Sequence, residues 1–479
     1  MASSTTYDAV VVGAGPNGLA AAINLQLHGL SVLVIEAKDT IGGGMRTAEL
    51  TLPGFRHDVC SAVHPMAAAS PFFTSLPLEN FGLEYLYPDV YAAHPLDNGN
   101  AVALYDSLEQ TAEGLGNDSD TYTALIEPIV NDWTEIDKDL LGPLRIPRYP
   151  MPFTRFGLKA ISAASTLVKR FATTEARALW AGMAAHAVQP LSNLTTSAIG
   201  LVLLSAAHRK GWPVPKGGSQ TLADALAAYF THLGGKIETG TKITSLAQLP
   251  TAKAVVFDLP PAQLLKIAGH TFSPLYRWQL NNFKYGMGVY KVDWALDDVV
   301  PFTSDVARKA GTLHLGGTFE EIATAEAQTA KGKHPDHPFV LLAQQSVIDA
   351  SRAPQGKHTL WGYCHVPNGS TENMTDKIEQ QVERFAPGFR DRILARHVMN
   401  TQDLESYNAN YIGGDINGGS LDITQLFTRP ALRSSPYRTS KKGIYICSAS
   451  TPPGGGVHGM GGYHASVQVL KDIFKIRES

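Results

Sequence analysis

An α/β fold, α+β overall, follows from three features of the 479-residue sequence. The first is a β-branched run, Val10 to Val12, that passes directly into Gly13, Gly15 and Gly18 in the order G-x-G-x-x-G and then into an apolar helix. The second is an acid, Glu36, at the end of a further apolar run about twenty residues on. The third is a glycine-dense loop between a strand and a helix near the C-terminus, from Ala449 to Gly462. The first two make a Rossmann-like β-α-β unit. The third is backbone that passes close to something flat or anionic, so the chain reads as a Rossmann-like nucleotide domain with an inserted mixed sheet-and-helix domain.

In the first unit, Gly13 permits the tight turn, Gly15 lets a pyrophosphate approach the backbone, and Gly18 lets a helix from Leu19 to His28 lie against the strand. Pro16 and Asn17 stand in the same turn and join the nucleotide contacts. The helix N-terminus offers free N–H groups and a positive dipole end to phosphate. Gly29 ends the helix, Ser31 to Ile35 make the second strand, and Glu36, with Ala37 beside it, is placed to accept hydrogen bonds from a ribose diol. An acid there favours a free 2′-hydroxyl, hence FAD or NAD over NADP. A turn that uses its glycines only for packing would leave Glu36 unexplained.

The next segment, Ile41 to Thr47, carries Gly42, Gly43, Gly44 and Arg46, and LPGFRHD follows from Leu52 to Asp58. This order resembles the two-dinucleotide-binding-domain flavoproteins, in which a Gly-Gly-Arg stretch touches the diphosphate and ribityl chain of FAD. The resemblance implies such contacts for Gly43, Gly44 and Arg46. Gly44 stands where that family has its arginine, and Arg46 comes two places later. The alternative for Arg46 is a solvated loop charge.

At 44% hydrophobic, the chain is long enough for two domains and a large core, and a net charge of −3 gives no basic surface for nucleic acid. Cys60, Cys364 and Cys447 lie far apart with no C-x-x-C, which excludes a disulfide frame, a zinc site or dithiol chemistry and suggests free thiols in a reducing compartment. MASSTT has no signal-peptide character, and no apolar run reaches the ~18 to 20 residues of a bilayer span. The expectation is a soluble cytoplasmic protein, with peripheral contact to a membrane left open.

From His64 to about Pro213, helically spaced stretches such as Asp120 to Leu141 and Phe156 to Phe171 alternate with proline-rich loops. The stretch from Phe153 to Phe171 mixes apolar residues with Arg155, Lys159, Lys169 and Arg170. Such a helix can lie on a membrane or frame the mouth of a lipid-binding cavity; the plain alternative is a solvated basic face. Pro215 to Ser219 then precedes a helix from Leu222 to Leu233, the strand-like KIETGTKITSL, and an apolar run from Ala254 to Leu259 before Pro260 and Pro261. A second excursion runs from Ser273 to Thr424. In it, period two puts Thr359, Trp361, Tyr363 and His365 on one strand face, which either lines an apolar cavity or packs as an ordinary sheet face.

Gly443 to Ser448 reads as a strand and Tyr463 to Phe474 as a helix. Between them Gly454, Gly455, Gly456, Gly459, Gly461 and Gly462 leave backbone bare, with Gly455, Gly456, Gly461 and Gly462 as cofactor contacts and a helix N-terminus facing the flavin pyrimidine edge.

Taken together, GAGPNG, IGGGMRT, PGFRHDVCSAVHP, PKGGSQTLADAL, YCHVPNGS, YIGGDINGGS and CSASTPPGGGVHGMGGYHA resemble the phytoene desaturase-like flavoproteins of the amine oxidase/GDI-like superfamily, in particular the bacterial relatives of pyridine nucleotide-disulphide oxidoreductase domain-containing protein 2. The carotenoid-desaturase wording Thr-x-Pro-Gly-x-Gly-x-Pro-Gly is matched by Thr451, Pro453, Gly454, Gly456 and Gly459, but His458 replaces a proline. The resemblance implies an FAD domain built from 1–63, 213–272 and 425–479, and a substrate domain from 64–212 and 273–424. It implies noncovalent FAD and hydride transfer between an apolar, isoprenoid- or lipid-like substrate and flavin N5, with oxygen or a quinone as acceptor. Candidate catalytic groups are His64, His458 and Tyr463; each histidine has the alternative of hydrogen bonding within a tight loop. Two rivals share the architecture: a redox-neutral flavin isomerase, and a non-enzymatic escort of the GDP-dissociation-inhibitor type, which would not need Gly13, Gly15, Gly18 and Glu36.

Overall fold

The computed structural model describes residues 6–477. Strands Ile444–Ile446, Ala252–Phe257, Tyr7–Val12, Val32–Ile35 and Lys236–Glu238 form, in that order, an all-parallel sheet. The central strand is buried on both faces: Ala9 and Val11 pack on one side, Val10 and Val12 on the other. This explains the unbroken β-branched run where a half-exposed strand would alternate. Helices Pro16–Leu27, Gln220–His232 and Met460–Val469 cover the first face, and Pro261–Ala268 and Pro274–Asn281 the second. Val12 pairs with both Phe257 and Ile35, so the carboxyl ends of the strands are level and Gly13, Glu36 and Asp258 emerge along one edge.

A second, seven-stranded sheet runs Ile393–Met399, Gly288–Leu296, His358–Val366, Val340–Ala343, Ala310–Leu315, Val90–Pro95, Ala101–Leu104. Its pairings are antiparallel except that between Ala310–Leu315 and Val90–Pro95. Alternation along His358–Val366 sends Trp361 and Tyr363 toward helices Ser119–Asn131, Thr174–Ala185 and Thr196–Lys210, while Leu360 and Cys364 enter a separate core on the far face.

Several element boundaries differ from the sequence expectations, five of them for a clear local reason or by a change of element. The first helix begins at Pro16, because proline at the first helical position needs no N–H partner and has its φ preset. The run from Asp120 to Leu141 is two helices, Ser119–Asn131 and Trp133–Leu140, with Pro128 inside the last turn of the first. The run from Phe156 to Phe171 is a helix that starts early, Pro150–Ala160, followed by the short turns Ala164–Leu167 and Val168–Arg170. Only Lys236–Glu238 of KIETGTKITSL is strand, since Gly240 turns at φ +67° and Thr241 then donates its N–H to the Glu36 carbonyl. The C-terminal helix starts at Met460, and beyond Val469 it widens to a π-turn.

Candidate functional site

A cavity of about 1240 Å³ opens where the carboxyl edge of the parallel sheet faces the large sheet. At one end it is lined by bare backbone: Gly15, Gly43 and Gly44 from the N-terminal unit, Gly455 and Gly456 from the C-terminal loop. Pro16 and Asn17 border it at the N-terminus of the first helix. A side chain at Gly15 would stand 2.8 Å from Asp258 Oδ2 and one at Gly43 3.0 Å from Gly15 Cα, so neither position has room for a Cβ and the two turns close on each other as a cradle of bare backbone. The other end is apolar, with Phe156, Ile161, Val202, Leu341, Trp361 and Tyr363 on its wall. Of the two readings for the aromatic strand face, Trp361 and Tyr363 line the cavity.

The remaining glycines serve packing. A Cβ on Gly18 would enter the Gly13 carbonyl, and Gly13 itself sits at φ +106°. Gly461 and Gly462 do not line the cavity. A Cβ on Gly462 would overlap the Asn17 carbonyl, so this position lets the first and last helices pack backbone to backbone, while one on Gly461 would stand 3.0 Å from the Cys447 carbonyl at the end of the last strand. Gly462 also donates its N–H to Asn17 Oδ1 at 3.3 Å.

Glu36 is buried. Its Oε2 accepts from the Ala14 N–H at 2.8 Å and its Oε1 from the Lys38 N–H at 2.9 Å, fixing the acid behind the turn; Ala37 is exposed beside it. Arg46 is no solvated loop charge: it is buried, donates to the Thr40 carbonyl at 2.7 Å and the Gly43 carbonyl at 3.0 Å, and sits 5.4 Å from the Tyr407 ring centroid. With Glu36 Oε1 3.5 Å away, its donors are committed to the loop that shapes the cradle.

His64 and His458 both line the cavity, and Tyr463 does not; Tyr463 stacks on Phe72 with ring centroids 5.1 Å apart. His458 Nδ1 accepts the Met460 N–H at 3.1 Å, so the imidazole caps the C-terminal helix, and the Gly455 and Gly454 carbonyls lie at its other side. Around His64, the Ser219 hydroxyl donates to the Ser61 carbonyl at 2.6 Å, so its oxygen accepts from His64 Nε2–H at 2.8 Å. That fixes the tautomer and leaves Nδ1 as a bare acceptor with no partner among the described residues. Burial pushes both histidines down to about 4, so both are neutral at pH 7.

Three groups not singled out in the sequence shape this site. Asp258, at the end of Ala252–Phe257, accepts the Gly18 N–H on Oδ2 at 2.9 Å and so caps the first helix, whose own N-cap is a glycine. Burial pushes its carboxyl up to about 7, the Gly18 hydrogen bond opposes this, and the Glu36 charge adds to it. Lys291 is buried under the cavity wall, ion-paired with Asp293 and 5.8 Å from the Trp361 centroid. Arg429 donates to the carbonyls of Ala449 at 2.8 Å and Ser450 at 3.2 Å, bracing the start of the glycine loop. The F-D-L-P-P stretch at Asp258 was a signal in the sequence; nothing local marks Lys291 or Arg429.

Residues 11–74 match the family model of an NAD(P)-binding Rossmann-like domain. Over 98% of this chain and 94% of the other, the chain is 25% identical to pyridine nucleotide-disulfide oxidoreductase domain-containing protein 2 of Rattus norvegicus. It is 24% identical to phytoene desaturase (neurosporene-forming) of Rhodobacter capsulatus, over 94% of this chain and 91% of that one. Over nearly its whole length the chain is similar to phytoene desaturase-like oxidoreductases. In this phytoene desaturase-like chain, the loop position where the carotenoid-desaturase wording has proline carries the helix-capping His458. A solved oxidoreductase from Methanosarcina mazei shares the fold, with a TM-score of 0.64 at 17% identity over 98% of this chain and 100% of that one.

Proposed function

We propose that this chain is an FAD-dependent oxidoreductase of the desaturase or dehydrogenase type acting on an apolar, isoprenoid- or lipid-like substrate. The observation that carries the reading is a single continuous cavity, bare glycine backbone at one end and aromatic and aliphatic wall at the other. The cradle suits a noncovalent FAD: Gly15, Gly43, Gly44, Gly455 and Gly456 admit close approach, and Asn17 opens the first helix toward the cavity. Bound there, the flavin would supply a hydride acceptor, with oxygen or a quinone taking the electrons onward.

The protein's own part is to hold the substrate dry and to manage its proton. Phe156, Leu341, Trp361 and Tyr363 exclude water from the apolar end. His64, with Nε2–H held by Ser219 and Nδ1 unengaged, is the group we assign to accept a proton; His458 holds the loop.

Purified protein should be yellow and should release FAD into the supernatant on acid precipitation. Colourless protein that takes up no added FAD would remove the reading, and flavin retained in the precipitate would remove only noncovalent attachment. An anaerobic screen of isoprenoid substrates for flavin bleaching then separates net oxidation from isomerisation.

A further inference from the structure

On the large-sheet wall of the cavity, two imidazoles meet. His186, at the end of helix Thr174–Ala185, lines the cavity, and its Nε2 lies 2.9 Å from Nε2 of His314 on strand Ala310–Leu315. His314 is fully buried with no partner for Nδ1 among the described residues. The helix makes room for it with a glycine: a Cβ on Gly182 would stand 2.6 Å from His314 Nδ1. A helical glycine and an orphaned ring nitrogen are both destabilising, and an aliphatic pair would close the same helix-to-strand contact without either.

Burial pushes His186 down to about 4 and His314 well below its ordinary value, so both rings are neutral. Two neutral imidazoles touching through Nε2 must be opposite tautomers there, one donating and one accepting. If His314 donates, His186 carries its proton on Nδ1 and offers the cavity a donor; if His186 donates, its Nδ1 is an acceptor. The pair therefore has two neutral arrangements, in which the second nitrogen of His186 is a donor or an acceptor; passing from the first to the second moves a proton between the Nε2 atoms, releases the proton on His186 Nδ1 and places one on His314 Nδ1. Its neighbours on this wall are Thr312, whose hydroxyl oxygen accepts from Trp212 Nε1 at 2.9 Å, and Tyr363; Leu341 and Ala343 are apolar. Behind the pair, His94 is held by the Gly317 carbonyl at 2.6 Å and His365 by Glu326 at 2.8 Å.

We infer that the His186–His314 pair is an anchor for an oxygen-bearing position, hydroxyl or carbonyl, on an otherwise apolar substrate. The inference rests on the proposed function above for the nature of the apolar portion, and narrows the substrate class to isoprenoid- or lipid-like alcohols, aldehydes or ketones. A neutral donor-or-acceptor matches these groups, and Lys291 beneath this wall is already paired with Asp293, so it gives a carboxylate little to pair with.

The test is calorimetric titration of the protein, as purified, with geraniol, geranial and the hydrocarbon 2,6-dimethylocta-2,6-diene. The two oxygenated probes should bind about tenfold more tightly than the hydrocarbon, in line with one hydrogen bond made in an apolar site. His186→Phe should abolish the preference and leave hydrocarbon binding within about twofold, and His186→Gln should restore part of it. Equal affinities in the natural protein, or a preference that persists in folded H186F, would overturn the anchor; the first comparison needs no variant to fold. Flavin content is read separately from visible absorbance. Flavin-loaded protein without the preference removes the anchor alone, and protein that keeps the preference but takes up no added FAD removes the cofactor reading alone.

Discussion

Asp258 sets a conflict at single-residue scale. Its carboxyl caps the helix whose N-terminus would receive a diphosphate, and the groups facing it are the Gly18 N–H, Glu36 and Cys447. A second anion beside it favours the protonated form. With the carboxyl at about 7, FAD should bind best below that pH and more weakly as pH rises through it, by up to about tenfold per unit. Fluorescence titrations of apoprotein with FAD across about one pH unit either side of 7 should show this slope, and Asp258→Asn should flatten it. A slope that persists in D258N would place the titrating group elsewhere. The two cavity histidines separate in the same way. His64→Gln should slow anaerobic flavin reduction by about 10²-fold with flavin still bound. His458→Ala should change that rate little while lowering stability by about 1 kcal/mol through the lost helix cap. Stopped-flow traces that reversed this order would return the proton to His458.

Among elements, helix Pro150–Ala160 and the loop before it have the most to explain. Leu144, Ile146, Met151 and Leu158 are 71%, 91%, 78% and 74% exposed, and Leu144, Phe153, Phe156 and Ile161 border the cavity. Two of the basic residues there are already paired, Arg145 with Asp139 and Arg155 with Asp132. Apolar insertion and not charge would therefore carry contact with a bilayer, and no helix among the described residues is long and apolar enough to cross one. We propose that this rim rests on a membrane and lets apolar substrate enter without crossing water. Vesicles should pull down the protein in high salt, and Ile146→Asp should weaken that binding tenfold or more, from about 1.5–3 kcal/mol of lost burial. Sedimentation unchanged by I146D would rule the rim out. The sequence drew attention to the basic residues of this segment; the exposed apolar residues start upstream at Leu144, in a loop whose spacing carries no helical period.

For the molecule as a whole, buried neutral histidines make stability depend on acid. His57, His64, His94, His186, His458 and His464 are each pushed to about 4, burial being the largest cause. Each binds its proton more readily when unfolded, near 6.5, so its contribution is complete above about 6.5 and is lost as pH falls toward 4. The slope is about 1.4 kcal/mol per pH unit per histidine. Asp258, shifted upward, opposes this over part of the window, but one carboxyl is outweighed by the histidines together. Urea midpoints should therefore hold between pH 7 and 8 as far as these groups are concerned and drop steeply below about 6; a midpoint flat to pH 5 would mean the imidazoles are hydrated.

The sequence by itself determined what adjacent residues encode. The β-branched run, the G-x-G-x-x-G turn, the acid closing the second strand and the period-two aromatic face of His358–Val366 each depend on backbone preference or side-chain alternation within a few residues, and each forms where it was read. Tertiary structure decided the rest. Asp258 reaches Gly18 across 240 residues, Gly462 meets Asn17 across 445, and His186 meets His314 across 128. No spacing in the chain records these meetings. They depend on strand order, on two helices touching at bare glycines, and on a helix laid over a sheet, so the glycines read as cofactor contacts divide into those that face the cavity and those that let two helices close on each other.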